Sequence, residues 1–200
     1  MPGDTLMLIV LTNPDLVERE LREGRLICPH CSGELRPWGH ARRRVLRTET
    51  ENEELHPRRA RCSNCHATSV LLPDVCLCRR VDEVAVIGRA LLEKAAGAGH
   101  RTIAARLGRP KETVRGWLRR FSSRITLVHE HFRRWAFALD ARLETIPPQG
   151  SALTDALEVI GLATRAASLL FGPREAWSWV SAMSGGALLA NTNSPFPTPH

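Results

Sequence analysis

A chain of 200 residues with 43% hydrophobic and 24% charged side chains can bury one or two modest cores, a composition that fits neither a large multidomain enzyme nor a disordered polyelectrolyte. Its formal charge of +7 is uneven: residues 58–124 hold fifteen basic against five acidic side chains, an excess of +10, while the flanks are neutral or slightly acidic. A basic block confined to the middle third implies a polyanionic partner bound there.

Residues 1–4 carry no positive charge, and the apolar run 5–11 is too short for a secretory core or a membrane span. We therefore expect a cytoplasmic, nucleoid-associated protein with no membrane contact. In a reducing compartment the six cysteines are read first for metal rather than for disulfides.

In chain order, TLMLIVL at 5–11 fits a buried strand. A helix follows it. Thr12 or Asn13 can cap it, Pro14 suits its first turn, Asp15 and Glu18 suit its positive end and Gly24 can stop it. Leu16, Val17 and Leu21 would face the core of this strand–helix unit, 1–24.

Two Cys-x-x-Cys pairs organise residues 25–75: Cys28 and Cys31, then Cys62 and Cys65. Each pair can turn two thiolates toward one ion, and two pairs complete the four-sulfur tetrahedron that Zn2+ accepts, a closed and therefore structural site. His30 and His66 stand beside the pairs as alternative donors. Segments 35–48 and 55–61 could form a hairpin with the acidic run 49–54 as its solvated tip and 69–72 as a third strand, which together make a zinc ribbon. So little apolar surface implies that metal binding is the ribbon's main source of stability. Neither pair opens a helix in a βαβ unit, so thiol redox chemistry is not expected. Arg42, Arg43, Arg44 and Arg47 precede the acidic run and Arg58, Arg59 and Arg61 follow it, divided between phosphate contacts and pairing with Glu49, Glu51, Glu53 and Glu54. Trp38 is expected in the core. Cys76 and Cys78 lack a matching pair and read as linker cysteines.

From 81 to 124 the pattern is that of a three-helix bundle. Asp82 can cap a helix reaching about 96, with Val84, Ile87, Leu91 and Ala95 inward. Ile103, Ala104 and Leu107 share a face of a second helix, Gly108 ends it, Pro110 suits the first turn of a third, and Val114, Trp117, Leu118 and Phe121 recur at helical spacing. This is a helix-turn-helix whose remaining face is basic. Lys111, Glu112, Thr113 and Arg115 would meet base edges of double-stranded DNA, while Arg101, Arg106, Arg119 and Arg120 hold phosphates.

Beyond it, Leu118, Phe121, Ile125, Val128, Phe132, Trp135 and Leu139 form a heptad seam. On this pattern the third helix continues to about 143 unless Ser122 and Ser123 bend it, and the seam either packs on the C-terminal helices or pairs two copies as a homodimer. Residues 147–150 break the pattern. A helix over 151–171 with Leu153, Leu157, Ile160 and Leu170 on one face follows, then a shorter one over 174–183 in which Trp177 and Trp179 pack, and a disordered tail at 191–200.

Cys-Pro-His-Cys at 28–31, Trp38-Gly39 with its arginine run, Arg59-Ala60-Arg61-Cys62 with Cys65, Leu71-Leu72-Pro73 and the helix-turn-helix together resemble the N-terminal DNA-binding region of insertion-sequence transposases. They also resemble short uncharacterised bacterial proteins of the same layout, catalogued as a domain of unknown function. The resemblance spans about 25–124. It implies that Cys28, Cys31, Cys62 and Cys65 ligate zinc and that the helix from Pro110 reads DNA. The 76 residues after Arg124 leave no room for an acidic-triad nuclease core, and Asp140, Asp155 and Glu158 lie in helical, apolar contexts. The sequence thus predicts a mainly α protein with a small β zinc ribbon, arranged as 1–24, 25–75, 81–124, 125–190 and the tail. It predicts a zinc-dependent DNA-binding protein without enzymatic activity. The alternatives are a fragment of a transposase or recombinase system and a zinc-ribbon protein-interaction adaptor.

Overall fold

The computed structural model describes residues 6–190 and Phe196; the expected disordered tail otherwise lies outside the described residues. Strand β1 (Leu6–Val10) leads into helix α1 (Pro14–Arg22). The Asn13 side chain caps α1 by accepting from the Asp15 and Leu16 N–H groups, and Pro14 opens its first turn. Val17 and Leu21 are buried, Leu16 only half so, and Gly24 leaves the helix at φ +69°.

Five strands follow: β2 (Leu35–His40), β3 (Arg44–Arg47), β4 (Asn52–Leu55), β5 (Arg58–Cys62) and β6 (Thr68–Pro73). The expected long hairpin is divided in two. β2 pairs antiparallel with β5, whereas β3 and β4 form a separate two-stranded sheet. The break has a local cause, a register shift between Pro37 and His40 where Gly39 takes φ +87°. Nor is the acidic run all tip: Asn52, Glu53 and Glu54 are ladder residues opposite Arg47, Leu46 and Val45. β6 pairs antiparallel with β5 as the third strand, and parallel with β1, so the opening strand lies in the same sheet as the cysteine pairs, in the order β1-β6-β5-β2. Alternation along β6 then serves two cores. Leu71 joins Val17, Leu21, Leu35 and Ala60, while Leu72 joins Leu46 and Cys76.

The helices α2 (Val84–Ala95), α3 (His100–Arg106), α4 (Lys111–Ser123), α5 (Ile125–Leu139), α6 (Ala152–Phe171) and α7 (Ala176–Met183) share the largest core. α2 touches α3, α4, α6 and α7, so it buries Val86 and Ala90 as well as the expected Val84, Ile87 and Leu91. Gly88 permits this. A Cβ there would stand 1.9 Å from the Trp177 ring. Trp179 packs too, its indole N–H donating to Ser168 Oγ at 2.9 Å. Asp82 does not cap α2: Glu83 occupies the cap position, and the Asp82 carboxylate is engaged by two arginines described below.

The seam 118–139 is not one helix. Arg124 leaves helical geometry at φ −118° and separates α4 from α5. Its side chain is buried, donating to Ala187 O at 2.7 Å and lying 4.5 Å over the Phe196 ring. Phe121, Val128 and Phe132 sit in the chain's own core, and α5 runs against α6, which Ser151 and Thr154 start with a capping box. Leu153, Leu157 and Ile160 pack as expected. Leu170 does not: the last turn of α6 extends past the core, leaving Leu169, Leu170 and Phe171 exposed. No single described helix is long and apolar enough to cross a membrane.

A buried histidine makes this core sensitive to pH. His131 Nε2 lies 2.9 Å from Met183 O, with Phe196 tilted over the ring at 4.6 Å. Burial pushes its pKa down from 6.5, outweighing the Met183 contact, and the Arg134 charge adds to the fall. The unfolded chain therefore takes up this proton first as pH falls, and folding stability declines below about pH 6.5. The denaturant midpoint is expected to drop between about pH 7.5 and 5.5, and less steeply in His131→Gln. An equal drop in the variant would clear His131.

Candidate metal centre and basic interface

The cysteine pairs occupy two turns that the sheet brings face to face. Cys28 and Cys31 lie on a short hairpin closed by the Ile27–Glu34 bridge, with Cys28 N–H donating to Gly33 O at 2.8 Å and Ser32 at φ +56°. Cys62 ends β5 and Cys65 lies in the turn to β6, with Cys62 N–H donating to Ala67 O at 2.9 Å and His66 at φ +60°. Ser63 N–H donates to Glu34 O at 2.9 Å and ties one turn to the other. Gly33 is needed for their approach, since a Cβ would stand 2.7 Å from Asn64 Cγ.

All four sulfurs lie within 4.8 Å of one another, with Cys31 to Cys62 at 3.4 Å and Cys28 to Cys65 at 3.8 Å. A tetrahedron with metal–sulfur bonds of about 2.3 Å places its sulfurs about 3.8 Å apart, so the donor set fits one ion. The thiols interact strongly. Burial raises Cys62, but donors at the backbone of Cys65 and Asn64, together with the Cys31 and Cys65 thiols, hold it down at about 6. The Ala67 N–H lowers Cys65, yet the Cys31 thiol, burial, Cys62 and Cys28 push it up to about 12. Four sulfurs this close cannot all ionise without a cation among them. Neither His30 nor His66 joins the group, and both are exposed. Cys76 and Cys78 are also outside it. Burial pushes the Cys76 thiol up to about 11 and raises Cys78, whose thiol donates to Gly185 O at 3.5 Å.

Besides the Arg89–Glu49 and Arg174–Asp74 pairs, one enclosed carboxylate joins the helical region to this part of the chain. Asp82, 2% exposed, pairs with Arg47 at 2.7 Å on Oδ2 and with Arg109 at 2.8 Å on Oδ1. Arg109 also donates to the carbonyls of Arg47 and Thr48, and the Arg47 N–H donates to Val81 O at 2.7 Å. The end of β3, the connector before α2 and the turn before α4 are thereby joined. Nothing in the spacing of Arg47, Asp82 and Arg109 announces this clamp.

α3 and α4 flank the turn that contains Gly108, at φ +61°, and Pro110 occupies the cap position of α4, one residue before the expected first turn. Val114, Trp117 and Phe121 face the core. Arg101, Arg106, Lys111, Glu112, Arg115 and Arg119 are exposed, and Thr113 and Arg120 half-buried, with Arg115 and Arg119 lining one cleft beside α4 and Glu112, Thr113 and Arg120 another. Arg106 pairs with Glu93 at 3.2 Å and Arg115 with Glu112 at 3.4 Å. The second pair is exposed on both sides and contributes only about 0–1 kcal/mol, whereas Glu93 in the first is largely enclosed.

Residues 28–117 match a domain of unknown function, DUF6431. No curated protein and no solved structure matches the chain. The span similar to DUF6431 opens on the first clustered cysteine and closes inside α4. It includes all four sulfurs and the whole Asp82 clamp, and it leaves out β1, α1 and the helices after α4.

The arginines of 42–61 have varied partners. Arg43 pairs with Glu54 at 2.7 Å, but Arg58 pairs with Glu18 of α1, Arg44 donates to Arg80 O and Arg59 to Thr68. Trp38 is not a core residue: it is 52% exposed, with the Arg61 guanidinium 4.7 Å over its ring.

Proposed function

We propose that the chain is a zinc-dependent protein that binds double-stranded DNA, either a transcriptional regulator or a transposase-like DNA-binding module without a nuclease core. The observation that carries this reading is the surface of α3 and α4. An apolar stripe anchors α4 inward while Lys111, Glu112, Thr113, Arg115 and Arg119 line its accessible side, the arrangement of a helix-turn-helix. Zn2+ held by Cys28, Cys31, Cys62 and Cys65 would close a zinc ribbon and supply no chemistry, since four thiolates leave no position for water. The Asp82 clamp then lets the ribbon fix the orientation of the reading helix. Lys111, Glu112, Thr113 and Arg115 are assigned to base edges, and Arg101, Arg106, Arg119 and Arg120 to phosphates.

Arg115 tests this assignment. On a selected site Arg115→Ala is expected to cost about 1–3 kcal/mol of binding free energy and to relax discrimination at one base pair. Equal affinity of variant and wild type in equilibrium titrations would remove Arg115 from base reading.

A further inference from the structure

A further group of cations borders the face just described, at its edge toward the segment before α2. A cleft of about 260 Å3 between the connector and α4 is lined by Arg47, Arg79, Arg80, Thr113, Trp117 and Arg120 among others. Its carboxylates are already engaged, Asp82 by Arg47 and Arg109 and Glu112 by Arg115. Among the described residues no carboxylate pairs with Arg79 or Arg80.

Arg44 donates to Arg80 O at 2.8 Å, and Arg80 Nη2 is anchored on Leu189 O at 2.6 Å while its buried Nε has no partner. Arg79 takes φ +60°, a conformation that favours glycine, yet it carries a long exposed cation. Burial, and after it the Arg120 charge, lower the Arg80 guanidinium.

We propose that this cleft seats a backbone phosphate of duplex DNA, gripped by Arg79 and Arg80 beside the first turn of α4. The inference rests on the DNA-binding reading above and extends the contact surface to the connector. A phosphate held there would fix how far along the groove α4 sits, without reading sequence.

The test is duplex binding by the full zinc-loaded chain, titrated over salt, for wild type, Arg79→Gly and Arg79→Lys. Glycine suits the backbone at this position, so Arg79→Gly removes the cation without opposing the fold. Losing one phosphate contact is expected to shrink the slope of log K against log salt by about 0.9 and to weaken binding about fivefold at 0.15 M salt, equally on unrelated duplexes. Arg79→Lys should recover most of the slope. An unchanged slope and affinity in Arg79→Gly, with wild type binding normally, would overturn the phosphate seat alone. Wild type that binds no duplex would overturn the DNA-binding reading and the seat with it. If millimolar inorganic phosphate raised the melting temperature of wild type but not of Arg79→Gly, with DNA affinity equal in both, the cleft would be a free-anion site and not a DNA contact.

Discussion

Removing the metal, by chelation or by Cys62→Ser, is expected to melt the four-stranded sheet and abolish duplex binding, because structural zinc supplies on the order of 10 kcal/mol in domains of this kind. The core beneath the cysteines shows why. Its buried members are Val17, Leu21, Cys28, Leu35, Ala60, Cys62 and Leu71, so two of the seven belong to the cysteine cluster that could hold a metal ion and the aliphatic remainder is small. The helical core contains none of the four cysteines and should keep most of its far-UV helical signal. Chelator titration followed by circular dichroism, with readdition of zinc, measures this. Cys76→Ser serves as the control: Cys76 is buried in a separate cluster, and its loss should leave metal stoichiometry at one ion per chain. A melting curve unmoved by chelator would remove the metal from the account.

Asp82→Ala is expected to destabilise the chain by about 3–5 kcal/mol, the range for leaving a buried charge without its partner. The carboxylate is almost fully enclosed, with side-chain exposure of 3%, and the guanidinium of Arg109 is 12% exposed. Removing Asp82 strands the Arg109 guanidinium, which cannot turn to water without giving up its bonds to the Arg47 and Thr48 carbonyls and so uncoupling the turn before α4 from β3; the partly exposed Arg47 loses the same partner. The loss should be partly recovered by adding Arg109→Met, which removes the stranded charge while keeping its hydrocarbon bulk. Urea midpoints of the single and double variants, with unchanged m values, provide the comparison. A loss below about 1 kcal/mol in Asp82→Ala would mean that the pair behaves as an exposed one and that the clamp is not structural.

The cysteine centre was readable because each pair is local and the chemistry of thiolates restricts what two such pairs can do together. The turn between α3 and α4 was readable for a similar reason, Gly108 and a 3–4 apolar spacing on either side being enough. Long-range partners were not readable. Asp82 stands just before a helix, where an aspartate suits a cap, and the arginines that claim it are 35 and 27 residues away. The apolar run of β1 announces burial but not its parallel pairing with β6, which only the packed sheet decides. The 118–139 seam keeps its periodicity across the break at Arg124 because both α4 and α5 bury that stripe in one core, so a continuous helix and a broken one leave the same pattern. β4 was hidden by composition. Asn52, Glu53 and Glu54 are poor strand formers, and they pair with β3 between flanking arginines that offset their charge.

The most direct test of the whole account is selection of bound duplexes from a random DNA library by the full chain, run in parallel with zinc and with chelator. One enriched consensus is expected in the zinc arm, lost in the chelated arm and blurred at one position by Arg115→Ala. No enrichment in either arm, from a folded and metal-loaded chain, would contradict it.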